Sequence, residues 1–238
     1  MEQRVILKPV GILGGMGPEA TILFQQKLMS ALPNAKGDED HIPLLIDMNP
    51  QVPSRIKHLI KGTGDDPSPV LASMARRLEL AGARTLVMPC NTAHHYASAI
   101  QTAVNIPFLN MVELSAAYVH GLNETDARIG MLASPAVQLT GLFDKALAPF
   151  NKETLWPDDS NKMLQALELI KKEGLTETVK TIVQEASDEL AEAGAAIQLI
   201  ACSEFSLLSN ALQNGPQRCI DTLDVLVREL IKITDHET

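Results

Sequence analysis

The feature that most restricts this chain is that part of it is written twice. Residues 78–93 read LELAGARTLVMPCNTA and residues 190–205 read LAEAGAAIQLIACSEF. Gly82 precedes Cys90 by eight residues, and Gly194 precedes Cys202 by eight. Each unit reads as a helix, a glycine stop, a buried strand, and then a cysteine followed by a polar pair. The segments VGILGG at 10–15 and IGMLAS at 129–134 match as the first strand of each unit. The doubling predicts two similar α/β lobes with a site between them. That site receives one cysteine from each half, at the carboxyl ends of the strands, where open α/β sheets bind ligands.

The rest of the chain fits that plan, because strands alternate with helices as parallel sheets require. The patterns predict strands over 5–13, 43–47, 85–88, 106–109, 128–133 and 197–201, and a short apolar element over 219–221. Helices are expected over 18–32, 70–81, 113–120, 139–147, 161–172, 175–193, 205–212 and 223–233, with another starting near Asn91 or Thr92 and a short one after the 49–61 loop. Pro18 at a first helical position, with Glu19 beside it, is a start signal. The expected fold is α/β, with two pseudo-symmetric lobes, each an open, mainly parallel sheet flanked by helices. Residues 1–116 and 219–238 are expected to form the lobe carrying Cys90, and 117–218 the lobe carrying Cys202.

Composition removes several classes of function. The 238 residues carry a net charge of −9, which disfavours long-range attraction to nucleic acid or anionic membrane. Aromatics are 3%, too few for a base-stacking platform. The apolar stretches are too short to span a bilayer, and MEQRVILKPV does not read as a signal peptide. Three cysteines do not make a closed disulfide set, so a reducing cytoplasm is the expected location.

Two thiols facing across a cleft can work on opposite faces of one carbon. One thiolate removes a proton and the other thiol returns one from the far side, inverting a stereocentre without metal or organic cofactor. Each thiol then alternates between base and acid, which favours a pKa near working pH. Both cysteines stand where a strand hands over to a helix, so a helix dipole is expected to lower both. A lone cysteine is more often a buried small hydrophobe; the matched positions in two repeats reverse those odds. Cys219 lacks that context and reads as core.

The segments GILGGMGPEAT (11–21), NPQVPSR (49–55), MPCNTAH (88–94) and ACSE (201–204) together resemble the aspartate racemase branch of the aspartate/glutamate racemase superfamily. The resemblance runs through nearly the whole chain in the right order. It implies a cofactor-independent racemase, homodimeric, with its paired catalytic cysteines at Cys90 and Cys202. The substrate-binding arginine falls on Arg55. The assisting lysine is matched by Lys172, with Lys171 adjacent. Met16, Asn91, Thr92, Ser203 and Glu204 complete the expected substrate contacts.

Two segments depart from the family pattern. ACSE stands where GCTE is usual, so Ser203 loses a methyl and Ala201 adds one. Ala133-Ser134-Pro135-Ala136-Val137 replaces an A-T-x-G-T loop, where Pro135 removes an N–H and Val137 a hydroxyl. Both changes bear on pocket shape and leave the choice of substrate open.

The same residues admit other readings. The loop 14–19 reads GGMGPE and lacks the G-x-G-x-x-G dinucleotide spacing; its backbone N–H groups and the following helix start suit a carboxylate instead. Arg55 alone would be a solvated charge, and Lys172 lies in a charged helix end. Cys90 and His94 are four apart and could share a helix face. A zinc site usually needs three or four ligands, and no further Cys/His cluster lies nearby, so no metal is expected. A protonated His94 could stabilise a Cys90 thiolate. The leading reading is a racemase of aspartate or a related acidic amino acid. The alternatives are a glutamate, broad-substrate or hydantoin racemase or another isomerase or decarboxylase of the superfamily, and a binding protein without turnover, which a ligand-binding assay lacking isomerisation would reveal.

Overall fold

The computed structural model describes residues 7–32, 35–122, 128–212, 215 and 217–236. Two separate parallel sheets carry the chain, one per lobe. The first is built by β1 (Val10–Gly14), β2 (Leu44–Met48) and β3 (Thr85–Val87), in the order β2-β1-β3. Between them run α1 (Pro18–Ser30), α2 (Arg55–Leu59) and α3 (Ser68–Leu80); α4 (Ala97–Ala103) and α5 (Met111–Gly121) follow. The second sheet contains β4 (Arg128–Leu132), β5 (Glu153–Leu155), β6 (Ile197–Ile200) and β7 (Arg218–Asp221), in the order β5-β4-β6-β7. Its helices are α6 (Pro135–Thr140), α7 (Leu142–Leu147), α8 (Ser160–Glu173), α9 (Glu177–Glu192) and α10 (Ser209–Leu212), and α11 (Thr222–His236) closes the chain. All strand pairs are parallel, so each crossing is made by helical chain.

Strand alternation decides which side chain meets which layer. In β1, Val10 and Ile12 face a cluster with Phe24 and Leu28 of α1, while Leu13 faces the opposite cluster with Leu71, Met74 and Leu78 of α3. In the second sheet, Ile129 and Met131 face α5 and α7, and Leu132 faces α8 and α9.

The doubling is visible atom by atom. A Cβ on Gly11 would meet Leu86 at 2.6 Å, Ala83 at 3.0 Å and Leu78 at 3.1 Å. A Cβ on Gly130 would meet Gln198 at 2.9 Å, Ala195 at 3.1 Å and Leu190 at 3.3 Å. The three partners are the matched residues of the two repeats. Each lobe therefore seats its helix–turn–strand unit against a bare strand glycine.

Several expected boundaries move. The strand expected over 5–13 is observed only from Val10; residues 5 and 6 lie outside the described set. The segment 106–109 is not a strand: Phe108 makes a single bridge to Leu86, and Pro107 has no N–H to extend a ladder. The helix expected over 139–147 is two helices, broken at Gly141, which adopts φ 60°. The sequence pattern does not predict β5. It is a three-residue edge strand of mixed polarity, below the length at which alternation is readable.

The lobe boundary is also corrected. Residues 219–221 pair with β6 in the second sheet, so the return to the first lobe begins at Thr222, not at 219. From there Leu223, Leu226, Val227 and Leu230 of α11 pack with Val10, Ile12, Phe24 and Leu28, while Val225 joins the second-lobe core. α5 likewise lends Met111 to the first lobe and Val112, Ala116 and Val119 to the second. Among the described residues no helix is long and apolar enough to cross a membrane.

Candidate active site

Each cysteine sits just past the end of a strand: Cys90 after β3, at the edge of the first sheet, and Cys202 after β6, inside the second. Both line one cleft between the lobes, of about 390 Å³ counting its open mouth. Met16, Arg55, Asn91, Thr92, Ser203 and Glu204, all expected at the site, line the same cleft. Ser54, Ile56, Leu167 and Lys171 line it as well.

The chain reaches this geometry by short-range means. Gly15, at φ +90°, brings its backbone so near Asn49 that a Cβ would lie 2.4 Å from the Asn49 carbonyl carbon. This seats the GGMG turn against the NPQ segment and delivers Met16 to the cleft. The Gly15 N–H, expected to serve a carboxylate, donates instead to Thr21 Oγ1 at 3.0 Å. Ser54 caps α2 by accepting from the Lys57 N–H at 3.3 Å. Arg55 then opens α2, and its Nη1 donates to the carbonyls of Val52 (3.2 Å) and Pro53 (3.0 Å), which fixes the plane of the guanidinium. Ile56, beside it, packs against the second-lobe core.

Lys172 is a correction. Its side chain is 78% exposed and pairs with Glu173 at 2.9 Å, outside the cleft. Lys171 is the residue that lines the cleft, 3.2 Å from Glu204 Oε1. The signal was present in the sequence. Lys171 lies four residues after Leu167, on the face of α8 that buries Met163, Leu167 and Ile170, whereas Lys172 is a further 100° round.

The expected helix dipoles are another correction. Each cysteine runs into a 3-10 turn, Thr92–Tyr96 or Phe205–Leu208, and the α-helices α4 and α10 start only beyond it. Burial pushes the Cys90 thiol up, against Arg55, the Ala93 N–H and Lys171, which favour its thiolate, while Glu204 adds to the rise. Burial pushes the Cys202 thiol further up, and Glu204 adds to it: Cys202 Sγ donates to Glu204 Oε2 at 3.2 Å. Lys171 pays a burial penalty, but Glu204 and the two sulfurs outweigh it and raise its pKa. The two thiols thus share Lys171 and Glu204 but differ in Arg55, which acts on Cys90, and in the hydrogen bond that Cys202 makes to Glu204.

His94 is also reassigned. Its Nε2 accepts from the Met111 N–H at 3.1 Å, so Nδ1 carries the proton and donates to the Cys90 carbonyl at 2.8 Å. Burial lowers its pKa to about 4, which makes it a neutral brace and not a cation for the thiolate. Both ring nitrogens are engaged, so the imidazole has no lone pair left to bind a metal together with Cys90. Among the described residues no group of three or more His, Cys, Asp or Glu is arranged to hold a metal ion.

Two oxygens remain for a ligand. Asn91 Oδ1 and Ser203 Oγ are buried without a hydrogen-bond partner among the described residues, and both belong to residues lining the cleft. They occupy matched positions, each following its cysteine. Thr92 Oγ1 lies 3.2 Å from Ser134 Oγ, a polar contact across the lobes. Residues 133–137, expected beside substrate, do not line the cleft themselves. Cys219 is buried in the second-lobe core, as expected.

Solved structures share this architecture of parallel sheets flanked by helices. An aspartate racemase from Picrophilus torridus superposes with a TM-score of 0.84 at 27% identity, covering 96% of this chain and 94% of that one. A glutamate racemase from Bacillus anthracis superposes with a TM-score of 0.68 at 17% identity, over 99% of this chain and 84% of that one, a likeness of fold. The likeness to the Picrophilus torridus enzyme, over nearly the whole of both chains, sets this chain among isomerases of the racemase class. The sequence profile of the Asp/Glu/Hydantoin racemase family matches residues 13–230, and the chain belongs to that family. A broad specificity amino-acid racemase of Bacillus subtilis (strain 168) is 26% identical over 215 residues, 86% of this chain and 89% of that protein.

Proposed function

We propose that this enzyme interconverts the enantiomers of aspartate or a related acidic amino acid by two-thiol proton transfer, without a cofactor. The observation that carries the reading is that the cysteines of both repeats open into one cleft together with Arg55 and Lys171. Arg55 presents a planar donor set suited to a carboxylate. One sulfur, as thiolate, takes the α-proton: the Cα–H bond breaks and an S–H bond forms. The resulting planar carbanion takes a proton from the other thiol on its far face, and the two sulfurs have exchanged protonation states. Cys202, hydrogen-bonded to Glu204, is the resting acid. Cys90, whose thiolate Arg55 and Lys171 favour, is the thiol that gives up its proton first once substrate is bound. In an empty cleft both thiols are held up by desolvation; a bound substrate's ammonium group favours the thiolate form.

A second reading has its own support. Lys171 is already paired with Glu204, so its charge is compensated before any ligand arrives. That lowers the demand for a side-chain carboxylate and favours a wider range of amino acids, as the name of the Bacillus subtilis relative would suggest. Three free thiols suit a reducing, cytoplasmic setting, and a homodimer follows from the family resemblance.

The test is a chiral assay over a panel of amino acids with reduced, chelator-dialysed protein in deuterated water. First-formed product should carry deuterium at the α-carbon while residual substrate at first carries little. Cys90→Ala and Cys202→Ala should each lower kcat by at least about 10²-fold in both directions. A Cys202→Ala protein that racemises at wild-type rate would overturn the two-thiol reading, and activity on neutral amino acids equal to that on aspartate would favour the broad one.

A further inference from the structure

We propose that Asp221 and Thr222, at the junction of β7 and α11, are positioning residues that set the two thiols against each other. The inference rests on the two-thiol reading above. Neither residue lines the cleft, yet each holds one of its two cysteine turns.

Thr222 Oγ1 accepts from Asn91 Nδ2 at 3.0 Å and donates to the Ile200 carbonyl at 3.0 Å. Asn91 adjoins Cys90, and Ile200 ends the strand that delivers Cys202. One hydroxyl therefore ties the Cys90 turn of the first lobe to a strand end of the second, across 131 residues of sequence. Asp221 holds the other turn. Its Oδ1 accepts from Ser206 Oγ at 2.7 Å and from the Leu223 N–H at 3.0 Å. Ser206 donates its own N–H to the Cys202 carbonyl at 3.2 Å, so the carboxylate grips the 3-10 turn that carries the thiol. The other carboxylate oxygen lies 3.0 Å from Lys27 Nζ on α1 of the first lobe, an ion pair and not a well-aligned hydrogen bond.

All of this is buried: Thr222 is fully enclosed, and Asn91, Ser206 and Asp221 are each 2% exposed. Polar groups enclosed in this way keep their partners, because nothing else can satisfy them. The β7–α11 junction thus fixes two turns from two lobes through adjacent residues. A proton-transfer pair needs this kind of bracing, since a displacement of about 1 Å can cost about 10²-fold in rate.

The experiment uses the full-length, reduced protein and three variants: Thr222→Val, Thr222→Ser and Ser206→Ala. Thr222→Val removes both bonds at nearly constant volume and should lower kcat by about 10–100-fold while KM moves by less than about threefold. Thr222→Ser should restore most of the rate. In deuterated water Thr222→Val should also place deuterium in recovered substrate, because a misplaced far thiol lets the first thiol exchange and return its proton. Site-resolved alkylation with iodoacetamide gives a readout independent of turnover. Thr222→Val should speed labelling of Cys90 more than that of Cys202, and Ser206→Ala should do the reverse. Should the wild-type protein fail to racemise, the functional reading falls, and the labelling pattern still decides the positioning. Equal unmasking of both thiols in each variant, or a wild-type kcat in Thr222→Val, overturns the proposal.

Discussion

Whether a side chain belongs to the cleft can turn on a single position in a helix. Lys171 and Lys172 are chemically identical and adjacent, but only the first shares the buried face of α8. Lys171→Met should raise KM for aspartate by about 10–100-fold, the worth of a charged hydrogen bond of about 1.5–3 kcal/mol. Lys172→Met should leave it unchanged; steady-state kinetics of the two variants separates them, and the opposite result would return the assignment to Lys172. The cysteines were legible because a repeat is a property of the sequence itself. Arg55, Asn91 and Ser203 were legible through the motifs around them. The phase of Lys171 was legible in principle, from its spacing to Leu167. The bonds of Thr222 to Asn91 and Ile200 were not, because a contact between residues 91 and 222 leaves no local pattern.

The 3-10 turns after the cysteines are where sequence and structure diverged most. A polar pair after a strand reads as a helix start, but the chain closes one tight turn first. His94 shows why that turn holds: it links the Cys90 carbonyl to the first N–H of α5. The link also makes the turn sensitive to acid. His94 has a pKa of about 4 in the folded chain against 6.5 for an unperturbed ring. Its neutral form therefore contributes stability that is fully present above pH 6.5 and is lost as pH falls towards 4. The difference amounts to about 3 kcal/mol at about 1.4 kcal/mol per pH unit. Urea midpoints measured at pH 7 and pH 4.5 should fall much further for the wild-type protein than for His94→Gln. Equal falls would mean that the ring titrates normally. Other elements depart from their sequence pattern for simpler reasons: β5 is too short to alternate, Pro107 interrupts a ladder, and Gly141 splits one helix into two.

At the scale of the whole molecule, α11 joins two cores. Leu226 is fully enclosed against the first-lobe strands, while Val225 packs with the second-lobe core. Leu226→Ala should destabilise the chain by about 2–5 kcal/mol. The loss should appear equally at Trp156, the single tryptophan, which packs on the second-lobe core far from the substitution in sequence. Coincident denaturation curves from Trp156 fluorescence and far-ultraviolet circular dichroism would show one cooperative unit. A Trp156 transition left at the wild-type midpoint would show lobes that melt independently. The two alternating sheets were predictable from the chain; the return of α11 to the first lobe was expected too, but its starting point was displaced by the capture of β7. The matched glycines, Gly11 and Gly130, carry one last implication. The molecule contains its own reference state: positions 75–93 have twins at 187–205, each unit seated against a matched strand glycine. Ala75 and Leu86 lie in one apolar cluster where their twins Ser187 and Gln198 are hydrogen-bonded, Ser187 Oγ donating to Gln198 Oε1 at 2.7 Å. Exchanging such twins compares oil with hydrogen bonds inside a single fold, without the confounding changes that separate one protein from another.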